Sequence, residues 1–273
     1  LYMIDWIYEI TIILYAISLL GYFIDFLQNN RKANRFAFWL LSIVWALQTL
    51  IFVVYFFDLN RYPILTPFEG FYFVTWMIIT LSLIINWFSR IDFFVFFANM
   101  IGFLMMSLHF FSPKSELSPL ITATLTTELF LMHIAMAFLS YAAFTLSFVF
   151  AVMYVIQYEM LKNKKSIKRL GRFGSLTELE RMSFFFAMVG VPLLSLSIIW
   201  GGIWGHLTID QFNYLDAKVI TSIMVVIGYC FFLYAKVVKN TQGKSLSFIN
   251  IVAFLLLLIN IFLSRSFSEF HWW

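Results

Sequence analysis

Eight runs of about 20 mostly apolar residues, each long enough to cross a bilayer as a helix, divide this 273-residue sequence. They lie at roughly 6–28, 37–57, 70–88, 93–111, 128–158, 183–204, 217–238 and 247–265. The separators are polar or helix-breaking, from QNNRKANR after the first run to KNTQGKS before the last. Pro63, Pro67, Pro113 and Pro119 fall in these breaks, where a missing N–H costs nothing, whereas Pro192 lies inside the sixth run. In lipid every backbone group must be paired within the protein, so runs of this length become helices. The expected fold is therefore an all-α polytopic membrane protein with eight transmembrane helices, one integral membrane domain over residues 1–273. Leu1-Tyr2 reads as an addition ahead of a native Met3. The first run is too long, and lacks the basic flank, for a cleavable signal peptide.

Composition excludes the main alternatives. Hydrophobic residues make up 62% of the chain, aromatic ones 21% and charged ones 12%, against about 45–50% apolar and about 25% charged in soluble domains. A soluble enzyme, a secreted disulfide scaffold and a disordered chain are all ruled out. The one cysteine, Cys230, permits no internal disulfide and no all-cysteine metal site, and no Cys-x-x-Cys-His is present for covalent haem. The net charge of +4 bears on membrane sidedness rather than on nucleic acid, and the expected surroundings are membrane lipid. Fourteen Lys and Arg fall in the four loops of one side, seven of them in the basic loop 159–181, and four fall on the other side. The positive-inside rule then makes 159–181 cytoplasmic and both termini extracytoplasmic. Within that loop, Ser175 ahead of LTELERM reads as a helix cap.

With this topology His109, His133, His206 and His271 all fall at or near the outer face. Ionisable groups at membrane depth are costly unless paired or ligated, which makes them functional candidates. Three chemistries suit them. Zinc would use a compact set with Glu128 or Asp210. A proton relay would need inner partners beyond Asp25. Haem would use one or two imidazoles, an aromatic wall and a cation for its carboxylates, and the outer side offers Trp200, Trp204, Phe212, Tyr214, Trp272 and Trp273 with Lys218 or Arg265. Interfacial aromatics also serve as simple membrane anchors, and Gly201, Gly202 and Gly205 as close-packing residues. The residues alone leave these open.

Local motifs narrow the choice. LFLMHIAMAFLSYAAFTLSFVFAVMYV, residues 129–155, resembles the helix bearing the first external histidine of the cytochrome c assembly family of haem-handling proteins. WGGIWGHLTIDQFNYLDAKVI, residues 200–220, is similar to that family's tryptophan-rich outer loop, with Asp216-Ala217-Lys218 in place of Asp-Pro-Lys. LTPFEGFYFVTW, residues 65–76, and the terminal FSEFHWW resemble further elements of the same family. The resemblance implies haem b held on its iron by His133 and His271, with Trp200, Trp204, Asp216 and Lys218 facing it and His206 and His109 as further candidates. The loop keeps fewer tryptophans than the haem lyases have, and no histidine lies deep in a helix. That departure weighs against a lyase or transporter subunit in cytochrome c assembly, which stays as the alternative, and the resemblance then implies a non-enzymatic regulator of haem synthesis with glutamyl-tRNA reductase as cytoplasmic partner. The charge count gives the first test. A reporter fused after Trp273 should read as extracytoplasmic and one inserted near Lys164 as cytoplasmic, and the opposite pattern would invert the topology.

Overall fold

The computed structural model describes residues 2–59, 62–88, 91–111, 125, 127–163, 172–209, 212–263 and 267, without the side chains of residues 2–5, 59, 67, 68, 109 and 263. Among the described residues there are eight helices and no strand: α1 (Tyr2–Gln28), α2 (Arg31–Leu59), α3 (Pro67–Phe88), α4 (Asp92–Phe110), α5 (Glu128–Lys162), α6 (Leu176–Thr208), α7 (Ala217–Val237) and α8 (Gly243–Leu258), the last extended by a π-helical turn, Ile259–Leu263. Seven are long and apolar enough to span a membrane, and α4 contributes a shorter apolar stretch, Asp92–Leu108. The chain is a multi-pass membrane protein, as its eight runs predict. Two compact units form, one from residues 1–115 with 168–174, the other from 116–167 with 175–273.

Several helix ends are set by single side chains. Asn29 adopts φ 55° and closes α1 by donating its backbone N–H to the Asp25 carbonyl at 2.7 Å. Asn30 then caps α2, its Oδ1 accepting from the Lys32 and Ala33 amides at 3.0 and 3.3 Å. This cap starts α2 at Arg31, six residues ahead of the apolar run at 37, because RKANRF is good helix sequence once its free amides are satisfied. Thr66 and Glu69 form a capping box around Pro67. The Glu69 carboxylate accepts from the Thr66 amide at 3.1 Å, and Thr66 Oγ1 accepts from the Glu69 amide at 3.2 Å. Ser175 caps α6 as expected, accepting from the Glu178 amide at 3.1 Å.

The first unit packs α1 against α2 and α4, and α3 against α4. Gly21 and Ser18 bring α1 close to α2: a Cβ on Gly21 would lie 3.0 Å from that of Ala37, whose carbonyl accepts from Ser18 Oγ at 2.8 Å. The buried face of α1 carries Tyr8, Thr11, Tyr15, Ser18, Tyr22 and Asp25, a three-four spacing that places all six on one stripe. Tyr8 donates to the Met106 carbonyl at 3.2 Å and Tyr15 to Asn99 Oδ1 at 2.9 Å. At the foot of the stripe Arg172, from the segment 168–174, is buried. Its guanidinium donates to both oxygens of Asp25 at 2.7 Å, to Asp92 at 2.7 Å and to Asn29 at 2.7 Å, and lies 4.7 Å from the Phe93 ring centroid. Phe173 beside it is fully buried among Phe26, Phe93 and Phe97.

In the second unit α5 and α6 run along each other, with α7 against α6 and α8 against α5 and α7. Asn250 of α8 donates to Ser147 Oγ at 2.7 Å and Ser183 Oγ at 3.0 Å, joining three helices midway. Phe144 stacks on Tyr229 with centroids 3.8 Å apart, in space left by Gly190, where a Cβ would meet its ring at 2.5 Å. Glu180 pairs with Lys236 and accepts from the Gly243 amide at 2.6 Å, tying the α7–α8 turn to α6.

Removing one partner of a buried bidentate ion pair strands the other. Arg172→Ala should therefore lower unfolding stability in detergent by about 3–5 kcal/mol. Asp25→Asn with Arg172→Gln should cost clearly less than the two single changes summed, as a double-mutant cycle of unfolding curves would measure.

Candidate functional site

One end of the second unit gathers most of the predicted residues. The first two turns of α5, the last three of α6, the first turn of α7 and the π-helical end of α8 supply them. Their helix directions alternate along the chain, so these ends lie on one side of the unit.

His133 lies in the second turn of α5 and is half-buried. Its Nδ1 is 2.7 Å from the carbonyl oxygen of Ser197 on α6 and 3.0 Å from Ser197 Oγ, while Ser197 Oγ donates to the His133 carbonyl at 2.8 Å. A carbonyl only accepts, so Nδ1 carries the proton. Nε2 then holds a lone pair, and it has no hydrogen bond among the described residues. Gly201, one turn beyond Ser197, makes room for the ring: a Cβ there would sit 2.6 Å from His133 Nδ1. Ser197 and Gly201 thus fix where the imidazole lies and which nitrogen it offers.

Aromatic rings line the same region. Trp204, 6% exposed, packs against Phe130 with centroids 4.6 Å apart, and Phe130 lies 6.1 Å from the His133 ring. Phe212 fills the space of the missing Gly205 side chain, where a Cβ would meet its ring at 2.4 Å. The Trp204 Nε1–H is buried and has no acceptor among the described residues. Trp200 is half-buried nearby on α6. His206 belongs to the last turns of α6, which runs to Thr208, rather than to a loop. It is exposed, and its Nδ1 is 3.1 Å from the Tyr214 hydroxyl.

Asp216 and Lys218 hold structural positions at this end. Asp216 is buried and caps α7, accepting from the Lys218 amide at 2.8 Å. The Lys218 ammonium donates to the carbonyl and Oδ1 of Asn260 at 2.8 and 3.1 Å. Asn260 also accepts from the Tyr141 hydroxyl at 3.0 Å and donates to Thr221 and Ser222, each at 2.9 Å. This hub joins α5, α7 and α8. The sequence reading passed over Ser197, Tyr141 and Asn260, although an Asn inside an apolar span is itself a signal. His271, Trp272 and Trp273 lie outside the described residues, as do Asp210 and Arg265. His109 is on α4 of the first unit, its side chain outside the description. Among the described residues no three His, Cys, Asp or Glu cluster as a metal site, so the zinc reading finds no support there.

An all-helical membrane chain offering an oriented imidazole beside aromatic rings suits a protein that handles a large planar ligand, and the chain belongs to the cytochrome c assembly protein family, whose profile matches residues 64–271. Within it, the sequence is 47% identical to Protein HemX of Bacillus subtilis (strain 168) over 264 residues, 97% of this chain and 96% of that one. It is 44% identical to Protein HemX of Brevibacillus brevis, covering 98% of each. More distantly, it is 20% identical to the cytochrome c biogenesis protein CcsA of Guillardia theta over 97% of this chain and 95% of that protein.

The packing at His133 separates two neighbouring glycines. Gly201→Ala forces a methyl into the imidazole and should cost about 1–3 kcal/mol. Gly202→Ala, where a Cβ meets nothing within 4 Å, should be neutral or stabilising by up to about 1 kcal/mol. Thermal unfolding of the two variants in the same detergent checks the contrast.

Proposed function

We propose that this protein binds haem b at the outer end of the second unit and acts, without catalysis, as a regulator of haem synthesis in the bacterial cytoplasmic membrane. The observation that supports haem most is the tautomer of His133. A neutral imidazole ligates iron through the nitrogen that lacks the proton, and a hydrogen bond from the other nitrogen to a backbone carbonyl keeps it so. Ser197 provides that carbonyl, and Phe130, Trp204 and Phe212 provide the apolar wall that a porphyrin needs. His133 and His271 would hold the iron. When bound, the haem supplies an iron centre whose spin state reports its axial ligands.

Regulation is the reading that the sequence resemblance implies, with glutamyl-tRNA reductase as the proposed cytoplasmic partner. A bound haem changes what the other face presents only by its differential affinity for two states of the helices. The loop 159–181 is the largest expected cytoplasmic segment. Arg172 is engaged by Asp25 and Asp92, so an acidic partner surface would meet the other bases of the loop. A second reading, delivery of haem during cytochrome c assembly, is favoured by full-length similarity to CcsA. Loss of c-type cytochromes on deletion, with reductase level unchanged, would select it.

Protein purified in detergent from a haem-replete host should show a low-spin haem b spectrum. His133→Ala and His271→Ala should each lower occupancy or convert it to high spin, and full low-spin haem in the double variant would rule the pair out. At native expression His133→Ala should also abolish the response of reductase abundance to haem. A normal response in that variant would detach regulation from this site.

A further inference from the structure

We propose that the indole N–H of Trp204 donates to a carboxylate side arm of the porphyrin bound at His133, which makes Trp204 a selectivity residue for free-acid porphyrins. This rests on the haem reading above and assigns one atom a recognition role within it.

The indole nitrogen is a donor only, so burial without an acceptor leaves it no internal compensation. Its neighbours at this end of the unit are well provided for. His133 Nδ1 has Ser197, both amide hydrogens of Asn260 have Thr221 and Ser222, and the Tyr141 hydroxyl has Asn260. Trp204 alone among them keeps a stranded donor. Packing does not require it. The chain contains 35 Phe and 9 Trp, and a phenyl ring would fill an apolar contact with Phe130 without burying an N–H.

Position links the donor to the ligand. Trp204 lies seven residues, two helical turns, beyond Ser197 on the same helix, and Phe130 touches its ring on one side and approaches the His133 ring on the other. The partner must bring an acceptor, and an anionic oxygen makes the strongest bond to a neutral donor in an apolar setting. A haem ligand carries two such oxygens-bearing arms in addition to its iron. Because Nε1 has no partner among the described residues, the incoming oxygen breaks none of the hydrogen bonds described when it displaces the atoms that cover the nitrogen.

The test compares haem b with its dimethyl ester, which keeps the iron and ring but lacks anionic oxygens, on the full chain in lipid nanodiscs. The wild-type protein should bind the free acid about tenfold more tightly than the ester, or better. Trp204→Phe should bring the two within about twofold while leaving the ligation spectrum of each unchanged. Replacement of Trp204 by benzothienylalanine, which exchanges the N–H for sulfur in an otherwise matching ring, should do the same if the phenyl variant fails to fold. An undiminished preference in either folded variant, or equal binding of acid and ester by the wild type, overturns the proposal. Binding that discriminates the two but survives His133→Ala fails the haem-ligand reading separately. No binding of either porphyrin overturns both.

Discussion

A carboxylate buried at the end of a membrane helix needs a cation, and Asp25 finds it in Arg172. The two guanidinium nitrogens grip both carboxylate oxygens, while the third reaches Asp92 and a shared bond takes in Asn29. Burial disfavours the charged guanidinium, but hydrogen bonds and charge from Asp25 and Asp92 outweigh it and raise the Arg172 pKa. Leaving any one of these charges alone would cost several kcal/mol. The position of the segment 172–174, the end of α1, the turn into α2 and the start of α4 all follow from satisfying this cluster. Phe173 adds the apolar half of the same anchor.

Above that anchor, polar side chains do the joining that water would otherwise drive. Lipid offers no hydrophobic gain for packing one apolar helix on another, so close approach and interhelical hydrogen bonds decide partners. The tyrosines of α1 reach α4, Tyr72 reaches the Gln48 carbonyl at 3.0 Å, and Trp45 and Trp76 donate to threonines across α2 and α3 at 2.8 and 2.9 Å. The second unit uses fewer, more central hubs. Asn250 ties α8 to α5 and α6, and Asn260 joins the ends of α5, α7 and α8, where His133 is placed by Ser197 and Gly201.

Much of this architecture is written plainly in the sequence. Apolar runs and polar breaks mark all eight helices, because a helix pairs its backbone within each run as a bilayer requires, and Ser175 announces its cap by the acidic turn that follows. The helix end that extends into polar sequence at Arg31 is less legible. There the amides are satisfied by Asn30, and helix propensity carries the rest without an apolar signal. His133 stands out as an ionisable group in an apolar run, whereas Ser197 acquires meaning only when α6 lies beside α5. Arg172 is one of seven bases in its loop. Nothing local separates it from Arg169 or Lys168, since its partner Asp25 is 147 residues away.

That separation also sets an order of events. A ribosome adding about 5–20 residues each second takes roughly 7–30 s to travel from Asp25 to Arg172. Throughout that interval the four helices of the first unit are in the membrane or entering it with an acid that has no counter-ion of its own. The fifth helix must be made and threaded before the arginine arrives. The first unit is thus the earlier half to be synthesised and the one that must wait, and its final closing piece is delivered by a stretch of chain that lies between the first two helices of the second.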